Sequence, residues 1–349
     1  MINAKDISVV IQGQSNTNTF ILVNKLRSIW PGCEIIFSTY IDQSVPEGVD
    51  TVVINEDPGA EIQHARTKTL NNINRQIRTT KNGLNKVTRK YTIKLRSDLI
   101  IENGNILKVF EEPKESSLKS HKIFEKKICV SLLYSRRYYR GIMTPFHISD
   151  WYYFGLTSDV KKFFSLIDEV DEPHFTKYFL GKKSPFGSTT FRYAPEQYFT
   201  YSAYKKCIGH IEMNDAFDVT ADTESESDKF VISNFKILKY KESGIYNSKY
   251  LCSKNETDIG ADWFGLWTKH HIQKARSKYI SHANISLDNN EEILYKNKEL
   301  YSIKWKIIKH KRNIKERTLP KKLIEVLVLV KYYFSYFIQS VKIIIRSKM

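Results

Sequence analysis

The chain has 349 residues, of which 41% are hydrophobic and 27% charged. This composition is typical of a globular protein, and the length predicts one large domain with an appendage or two small domains. The net charge is +17, and residues 296–349 hold fifteen Lys/Arg against three Glu, so +12 lies in that tail. A basic excess confined to one end disfavours a nucleic-acid-binding surface over the whole chain and favours a localised anionic partner.

Cysteine usage and the N-terminal sequence both indicate a cytoplasmic protein. The four cysteines, at positions 33, 129, 207 and 252, show no CxxC spacing and no nearby histidine at metal-ligand spacing. They therefore suit a reducing compartment. Residues 1–12 enter a strand pattern without the basic region, long apolar core and cleavage site of a signal peptide.

The first hundred residues alternate between strand and helix patterns. β-branched runs predict strands at residues 6–12, 33–40 and 51–55. Apolar spacing predicts a helix that begins at residue 16 or 17, and a polar helical segment over residues 60–81. This alternation predicts an α/β fold with a Rossmann-type, mostly parallel sheet flanked by helices. GQSNTN follows the first strand in place of GxGxxG, and no GxxxxGK[ST] occurs, which disfavours NAD-type dehydrogenases and P-loop NTPases.

The central feature is the run YTIKLRSDLIIE at residues 91–102, an apolar strand pattern interrupted by Arg96, Ser97 and Asp98. Such a polar break is expected at the edge of the sheet, where open α/β sheets bind ligands. The plain alternative is a strand end at which Asp98 caps a turn or pairs with Arg96.

Downstream patterns predict a strand at residues 128–134 and helices over residues 158–167 and 195–204. Glu196 lies in the first turn of the last helix, where unpaired N–H groups favour a carboxylate. It is either a functional acid or only a helix-terminus charge. The aromatic segment DWYYFG opens with a second acid, Asp150.

Further polar side chains lie where a ligand would approach the sheet. Gly13 follows the first strand and would let the backbone come close to a ligand. The candidates for substrate binding are Gln12, Gly13, Asp57, Asn74, Arg75, Gln76, Arg96, Ser97 and Trp151. Asp57 precedes a Pro-Gly pair, so it can also be interpreted as a turn residue. Residues 74–76 can also be interpreted as an exposed helix face. Trp151 can also be interpreted as part of the core or of a groove wall.

Several of these motifs together resemble a known family. They are SVVIQG (8–13), EIIFSTY (34–40), EDPGA (56–60), NINRQIRTTKNGL (72–84), YTIKLRSDL (91–99), SDWYYFG (149–155) and PEQY (195–198). In this order and spacing, the chain resembles the WavE lipopolysaccharide-synthesis proteins, a bacterial family regarded as glycosyltransferases. The resemblance covers roughly residues 5 to 205.

The resemblance implies a GT-A-like nucleotide-sugar transferase that acts on a lipopolysaccharide core or another surface polysaccharide. It places Asp98 where such folds have their metal-binding Asp-x-Asp motif, whose first position here is Arg96. Two alternatives follow. Asp98 holds a divalent cation, Mg²⁺ or Mn²⁺, or Arg96 itself offsets the diphosphate charge and the enzyme depends weakly or not at all on metal.

Sugar transfer needs a counter-charge for the departing diphosphate, a grip on the donor and a base for the acceptor hydroxyl. Arg75 and Arg96 suit bidentate contacts with phosphate oxygens. Asp57 is placed to join a metal site or to hold the donor's base or ribose. Glu196 or Asp150 suits the role of base, in a hexosyl or related transfer expected to invert the anomeric centre.

The basic tail needs a separate explanation. Residues 295–317 are basic with interleaved apolar side chains, and residues 323–345 have the length of a membrane span but contain Glu325, Lys331 and Lys342. At helical spacing these cations share one side and the apolar side chains the other. We expect a basic amphipathic helix on an anionic membrane surface, with a helix packed on the domain as the alternative.

The sequence therefore predicts three segments: a catalytic core at 1–210, an acceptor-side or accessory segment with an acidic loop at 211–294, and a membrane-associating tail at 295–349. The predicted protein is peripheral on the cytoplasmic side of the inner membrane and uses a nucleotide-sugar donor and a lipid-linked or lipopolysaccharide acceptor. The alternative is a non-catalytic, membrane-associated binding or scaffold protein of polysaccharide assembly. An RNA-binding function is disfavoured, because the first 295 residues carry little basic excess and no RNA-binding motif.

Overall fold

The structure is a computed structural model that describes residues 2–64, 66–112, 116–139, 141–171, 174–182 and 189–280, with residues 326, 328 and 330–335. The helices are α1 Thr17–Ile29, α2 Ile73–Leu84, α3 Asn105–Glu111, α4 Thr157–Ser165, α5 Pro195–Cys207, α6 Ala221–Asn234, α7 Tyr240–Ser243 and α8 Lys269–Tyr279. The strands are β1 Ile7–Gln12, β2 Glu34–Tyr40, β3 Thr51–Asn55, β4 Glu61–Ile62, β5 Leu70–Asn71, β6 Tyr91–Arg96, β7 Ile100–Ile101, β8 Ile128–Ser131, β9 Arg136–Tyr139, β10 Ile142–His147, β11 Tyr152–Leu156, β12 Phe235–Leu238 and β13 Ile245–Tyr246. Short 3-10 helices lie at Ala4–Asp6, Lys119–His121, Leu251–Ser253 and Glu256–Gly265.

Seven of the strands form one sheet in the order β12-β8-β11-β6-β1-β2-β3. Only β11 runs against its two neighbours, so the predicted mostly parallel α/β sheet is confirmed. The reversal of β11 has a consequence for the site. It brings the start of β11 to the edge at which β1, β2 and β6 end, because Tyr152 pairs with Leu95 near the end of β6.

Side chains of the central strands alternate between two apolar cores. Val10 of β1 faces the core that is built with α2, α4, α5 and α6. Val9 and Ile11 face the opposite core, built with α1 and α3. Helices therefore cover both faces of the sheet, and its strand ends remain available for a ligand.

The prediction of a helix over residues 60–81 is wrong in its first half. That part forms the hairpin β4–β5, in which Glu61 pairs with Asn71 and Ile62 with Leu70. The helix α2 begins only at Ile73, where regularly spaced side chains become buried. The preceding segment lacks such an apolar stripe, and helices in proteins are stabilised mainly by burying one.

The acidic loop expected within residues 211–294, at residues 212–228, is wrong in its second half. Helix α6 begins inside this run, with Thr220 as its N-cap. Asp228 is 1% exposed, and Arg137 donates to its two carboxylate oxygens at 3.0 and 2.7 Å. A buried acid with this partner belongs to the core, which acid count alone does not predict. The following strand β12, from the predicted accessory segment, is an edge strand of the main sheet and pairs with β8 of the predicted core.

Most of the basic tail, predicted at residues 295–349, lies outside the described residues. Residues 330–335 are helical, and Val330 and Phe334 are exposed. Among the helices that the structure describes, none is long and apolar enough to cross a membrane. The amphipathic membrane-binding tail remains a prediction.

Candidate active site

A cavity of about 510 Å³ opens where β1, β2 and β6 end. It is lined by Gln12, Gly13, Gln14, Asn16, Tyr40, Gln63, Leu70, Asn71, Asn72, Arg75, Gln76, Arg96, Ser97, Asp98, Asp150, Pro195, Glu196, Lys249 and Tyr250. Its volume is that of a small-ligand site, and its walls are unusually polar. We call it the active-site cavity below.

The floor of the cavity is formed by two loops that leave neighbouring parallel strands. Gln12 and Arg96 are register partners at the ends of β1 and β6. Gly13 has φ +116°, and a Cβ there would lie 3.0 Å from the Ser97 hydroxyl oxygen. That hydroxyl donates to the carbonyl of Gln14 at 2.7 Å. Glycine therefore permits the close approach of the two loops, as its position after a strand suggested.

Arg96 lies between two carboxylates. Its Nε and Nη2 donate to Asp98 at 3.0 and 2.8 Å, and its Nη1 lies 3.4 and 3.5 Å from the two carboxylate oxygens of Asp150. Burial opposes the charge of Arg96, but these two acids outweigh it and raise its pKa further. The guanidinium thus keeps its positive charge and is held in the cavity wall by the two acids, with which a bound anion would share it.

Asp98 is held by partners that compete with a metal ion. Both carboxylate oxygens accept from Arg96, and Oδ2 also accepts from Asn247 at 2.8 Å. Burial would raise the pKa of Asp98, but the charge and hydrogen bonds of Arg96 lower it below its ordinary value. A divalent cation needs these oxygen lone pairs, and the neighbouring position holds a cation instead of a second acid. The predicted role of Asp98 as a Mg²⁺ or Mn²⁺ ligand does not fit this arrangement.

Lys249 supplies a second positive charge that the sequence analysis missed. It lines the cavity and lies close enough to Asp98 for its charge to lower that pKa. Its side chain is exposed and forms no ion pair within the described part of the chain. Together with Arg96 it provides the cationic side of the cavity.

Asp150 precedes β11 and is 7% exposed. Its backbone carbonyl accepts from Lys94 Nζ at 2.8 Å and from Gln76 Nε2 at 3.5 Å. Lys94 is completely buried, and this burial lowers the pKa of its ammonium to about 7. A buried lysine and a helix side chain thus fix the backbone of Asp150, so that its carboxylate faces Arg96.

Glu196 lies opposite, in the first turn of α5. Burial and the negative charge of Asp150, in that order, raise the pKa of Glu196 to about 7. The helix N-terminus and the charges of Arg136 and Arg96 oppose this rise only in part. A carboxylate with a pKa near neutrality is suited to accept a proton from a hydroxyl group.

Three predicted substrate-binding residues do not line the cavity. Asp57 pairs with Arg75, whose Nε and Nη2 donate to it at 2.7 and 2.5 Å, and this lowers the pKa of Asp57. Asn74 is buried and exchanges two hydrogen bonds of 2.8 and 2.7 Å with the backbone of Val170. Trp151 is 2% exposed and lies in the core. Arg75 itself lines the cavity, although Asp57 occupies its guanidinium.

Trp151 nevertheless shapes the site from below. Its ring stacks on Tyr250, a lining residue, at a centroid distance of 5.9 Å. Its carbonyl accepts from the backbone N–H of Arg96 at 3.2 Å. Trp151 thus supports the cavity wall. This agrees with the alternative interpretation of the aromatic segment as a groove wall.

A second polar cluster lies away from the cavity and was not predicted. His121, His210 and Glu226 have potential ligand atoms within 4.8 Å of one another. Glu226 Oε2 lies 2.9 Å from His121 Nε2 and also accepts from Tyr204 at 2.9 Å, while Lys229 donates to Oε1. This hydrogen-bond network satisfies the buried carboxylate without a metal ion.

The sequence analysis thus named the acids and the central arginine of the cavity, and the structure brings Gln12, Gly13, Arg75, Gln76, Arg96, Ser97, Asp98, Asp150 and Glu196 together. Tyr40 was detectable as a polar side chain at the end of a strand. Lys249 and Tyr250 follow β13, in a part of the sequence that carries no recognisable pattern.

The fold and the cavity define a class: an α/β protein with a polar cleft, lined by acids and cations, at the carboxyl edge of its sheet. Residues 7–322 match the family model described as WavE lipopolysaccharide synthesis. The chain therefore belongs to the WavE family, and the predicted resemblance is confirmed.

Other comparisons add little to this assignment. A comparison with curated proteins finds no match. Among solved structures, the chain is similar to the apo-form glycosyltransferase GlyE of Streptococcus pneumoniae TIGR4, with a TM-score of 0.31 and 11% sequence identity. The similarity covers 58% of this chain and 44% of that protein, which is less than half of its length. A similarity at this level carries no argument about function.

Proposed function

We propose that this protein is a GT-A-like glycosyltransferase that moves a sugar from a nucleotide-sugar donor to a lipopolysaccharide core or another surface-polysaccharide acceptor. Membership of the WavE family supports the pathway. The observation that carries the reaction type is a single cavity that presents the cations Arg96 and Lys249 together with Glu196, an acid with a pKa near neutrality. Phosphate and hydroxyl groups are the partners that these side chains suit.

In this reaction the acceptor oxygen attacks the anomeric carbon and its proton passes to the Glu196 carboxylate. The bond between the anomeric carbon and the diphosphate oxygen breaks, and the electron pair leaves with the diphosphate. Arg96 and Lys249 offset that developing charge in a partly buried site, where such contacts count for more than in water. Attack from the side opposite the leaving group would invert the anomeric centre. The negative charge of Asp150 raises the pKa of Glu196, and its carboxylate orients Arg96.

A binding and turnover screen tests the proposal. Thermal shift with UDP-, GDP-, dTDP-, ADP- and CDP-sugars identifies the donor, and release of the nucleotide from that donor measures turnover. We expect Asp98→Ala to weaken donor binding, because it frees and misplaces Arg96. Glu196→Gln should retain donor binding and reduce turnover by about 10²–10⁴-fold, the contribution typical of a general base.

Glu169→Gln is the matched control, because Glu169 pairs with Arg78 at 2.6 Å and lies outside the cavity. It should leave both binding and turnover unchanged. Failure of all five donor classes to bind would favour a non-catalytic binding or scaffold protein. Unchanged donor affinity and rate in Asp98→Ala would remove that residue from the site.

The proposed location is the cytoplasmic face of the inner membrane, where the acceptor would be lipid-linked. The support is the basic amphipathic pattern of the C-terminal sequence. Deletion of residues 323–349 should move the protein from the membrane fraction to the soluble fraction at low salt. Unchanged partitioning would contradict a membrane-binding tail.

A further inference from the structure

A second cavity, of about 430 Å³, adjoins the active-site cavity and shares Gln63 and Glu196 with it. Its other walls come from β9, β10 and the start of α5, and from loop residues around Tyr134, Phe191 and Phe217. A general base must contact the group from which it takes a proton. Since Glu196 faces both spaces, a donor in the first cavity and an acceptor in the second would meet at its carboxylate.

The second cavity differs from the first in its chemistry. Phe191, Phe217 and Tyr134 give it apolar and aromatic walls, whereas the active-site cavity is mainly polar. An amphipathic wall of this kind suits a sugar ring, which has apolar faces and polar edges. Among the described residues that line it, Arg136 is the one arginine or lysine, so they form no cation cluster for another diphosphate.

Arg136 is the cation of this wall and forms no ion pair with the described residues, although its charge lowers the pKa of Glu196 from a greater distance. No carboxylate of the described residues lies within ion-pair distance of its guanidinium, and its buried Nε has no hydrogen-bond partner among them. Arg137, the next residue, is in contrast paired with both Asp228 and Glu224. A buried donor on a charged group is costly to leave unpaired, so Arg136 is suited to bind an acceptor group of a ligand in this cavity.

The position of Arg136 is well defined. Its guanidinium carbon lies 5.1 Å from the Tyr134 ring centroid and 4.6 Å from that of Tyr139, both in cation–π geometry. It is also the cross-strand partner of His147, which lines the same cavity. A guanidinium held between two rings is preorganised and loses little entropy on binding an anion.

His147 adds a second unused polar atom. It is 4% exposed, and its Nδ1 has no hydrogen-bond partner among the described residues. Burial, followed by the charge of Arg136, lowers the pKa of His147 to about 3, so the ring is neutral. A neutral imidazole beside a cation can exchange a hydrogen bond with a sugar hydroxyl while the cation binds a charged substituent.

We propose that the second cavity is the acceptor site and that Arg136 selects an acceptor sugar that carries an anionic group, either a carboxylate or a phosphate. This inference rests on the proposed glycosyltransferase function. Repulsion from Glu196 directs the anionic group towards Arg136. The same orientation turns a hydroxyl of the sugar towards Glu196 and the donor.

Binding of simple sugars to the full-length protein tests the proposal. The probes are glucuronate for the carboxylate, glucose 6-phosphate for the phosphate and glucose as the neutral reference, measured by ligand-observed NMR titration. We expect at least one anion to bind about tenfold more tightly than glucose, the order expected of a charge-assisted bidentate contact. The anion that binds more tightly identifies the charged substituent of the acceptor sugar as a carboxylate or a phosphate.

Variants of Arg136 separate this contact from general electrostatics. Arg136→Gln should remove the preference for the anion, and Arg136→Lys, which keeps the charge, should retain part of it. Arg78→Gln is the control, since Arg78 lies outside both cavities. Equal binding of glucose and both anions, or a preference that survives Arg136→Gln, would overturn the proposal.

A parallel titration with UDP and GDP keeps the two proposals distinct. Arg136→Gln should leave the nucleotide affinity unchanged, because Arg136 does not line the active-site cavity. Absence of nucleotide binding with an Arg136-dependent anion preference would refute the glycosyltransferase and retain an anionic-sugar site. Nucleotide binding without that preference would refute only the acceptor assignment.

Discussion

Lowering the pH should slow this protein through one group, Glu196. Its pKa of about 7 follows first from burial and then from the charge of Asp150. A base with this pKa is about 90% ionised at pH 8, half ionised at pH 7 and about 1% ionised at pH 5. Turnover should therefore fall roughly a hundredfold between pH 8 and pH 5, with a midpoint near neutrality.

The assay is nucleotide release from the best donor, with kcat and kcat/KM measured between pH 5 and pH 9. In Asp150→Asn the negative charge that raises the pKa of Glu196 is gone, so the acid limb should move to lower pH. The position of the limb can be measured even if the absolute rate drops.

Lys94 is the alternative source of such a limb, because burial lowers its pKa to about 7 as well. Lys94→Met removes that titration and should leave an acid limb in place. An acid limb near pH 4–5, the ordinary range of a glutamate, would contradict a raised pKa of Glu196. So would a limb that Asp150→Asn does not move, or one that Lys94→Met abolishes.

Three other predictions concern stability and positioning. The pKa of Glu196 is raised in the folded state, so the ionisation of this group lowers the free energy of unfolding as pH rises from its ordinary pKa to about 7. In urea unfolding, Glu196→Gln should therefore stabilise the protein at pH 8 by on the order of 1–3 kcal/mol. At pH 4, where Glu196 is protonated, it should not. Gly13→Ala should lower the free energy of unfolding by about 2–3 kcal/mol, because both strain at φ +116° and a close contact with Ser97 oppose it. Gly59→Ala, at φ +84° with open space around it, should lower it by only about 1 kcal/mol. Lys94→Met should reduce turnover about tenfold, because the Asp150 carbonyl loses its hydrogen bond. The melting temperature should stay within a few degrees of that of the wild type. An unchanged rate would contradict a role of Lys94 in positioning Asp150.

Local patterns predicted the elements whose burial is regular. The β-branched runs at β1, β2 and β3 and the apolar stripe of α1 specify these elements directly, and β6 ends at Arg96 where the pattern breaks. Since parallel strands end at one edge, the strand-end position of Asp98 was enough to place it at the cavity.

The remaining parts depend on contacts that sequence spacing does not reveal. Nothing in DWYYFG indicates that β11 runs antiparallel, yet that reversal is what brings Asp150 beside Arg96. The acidic run forms a helix whose buried side includes Asp228, and the partner of this acid, Arg137, is far away in sequence. Asn74 was assigned to substrate although its amide is satisfied by the backbone of Val170. Each of these outcomes was decided by tertiary partners.

We expect the sugar nucleotide to bind with its diphosphate at Arg96 and Lys249 and its anomeric carbon towards Glu196. A crystal structure of the Glu196→Gln variant with the donor found in the screen tests it most directly. Phosphate oxygens should lie within hydrogen-bond distance of at least one of the two cations, with the sugar between them and residue 196. A nucleotide bound outside this cavity, or one whose sugar points away from residue 196, would contradict it.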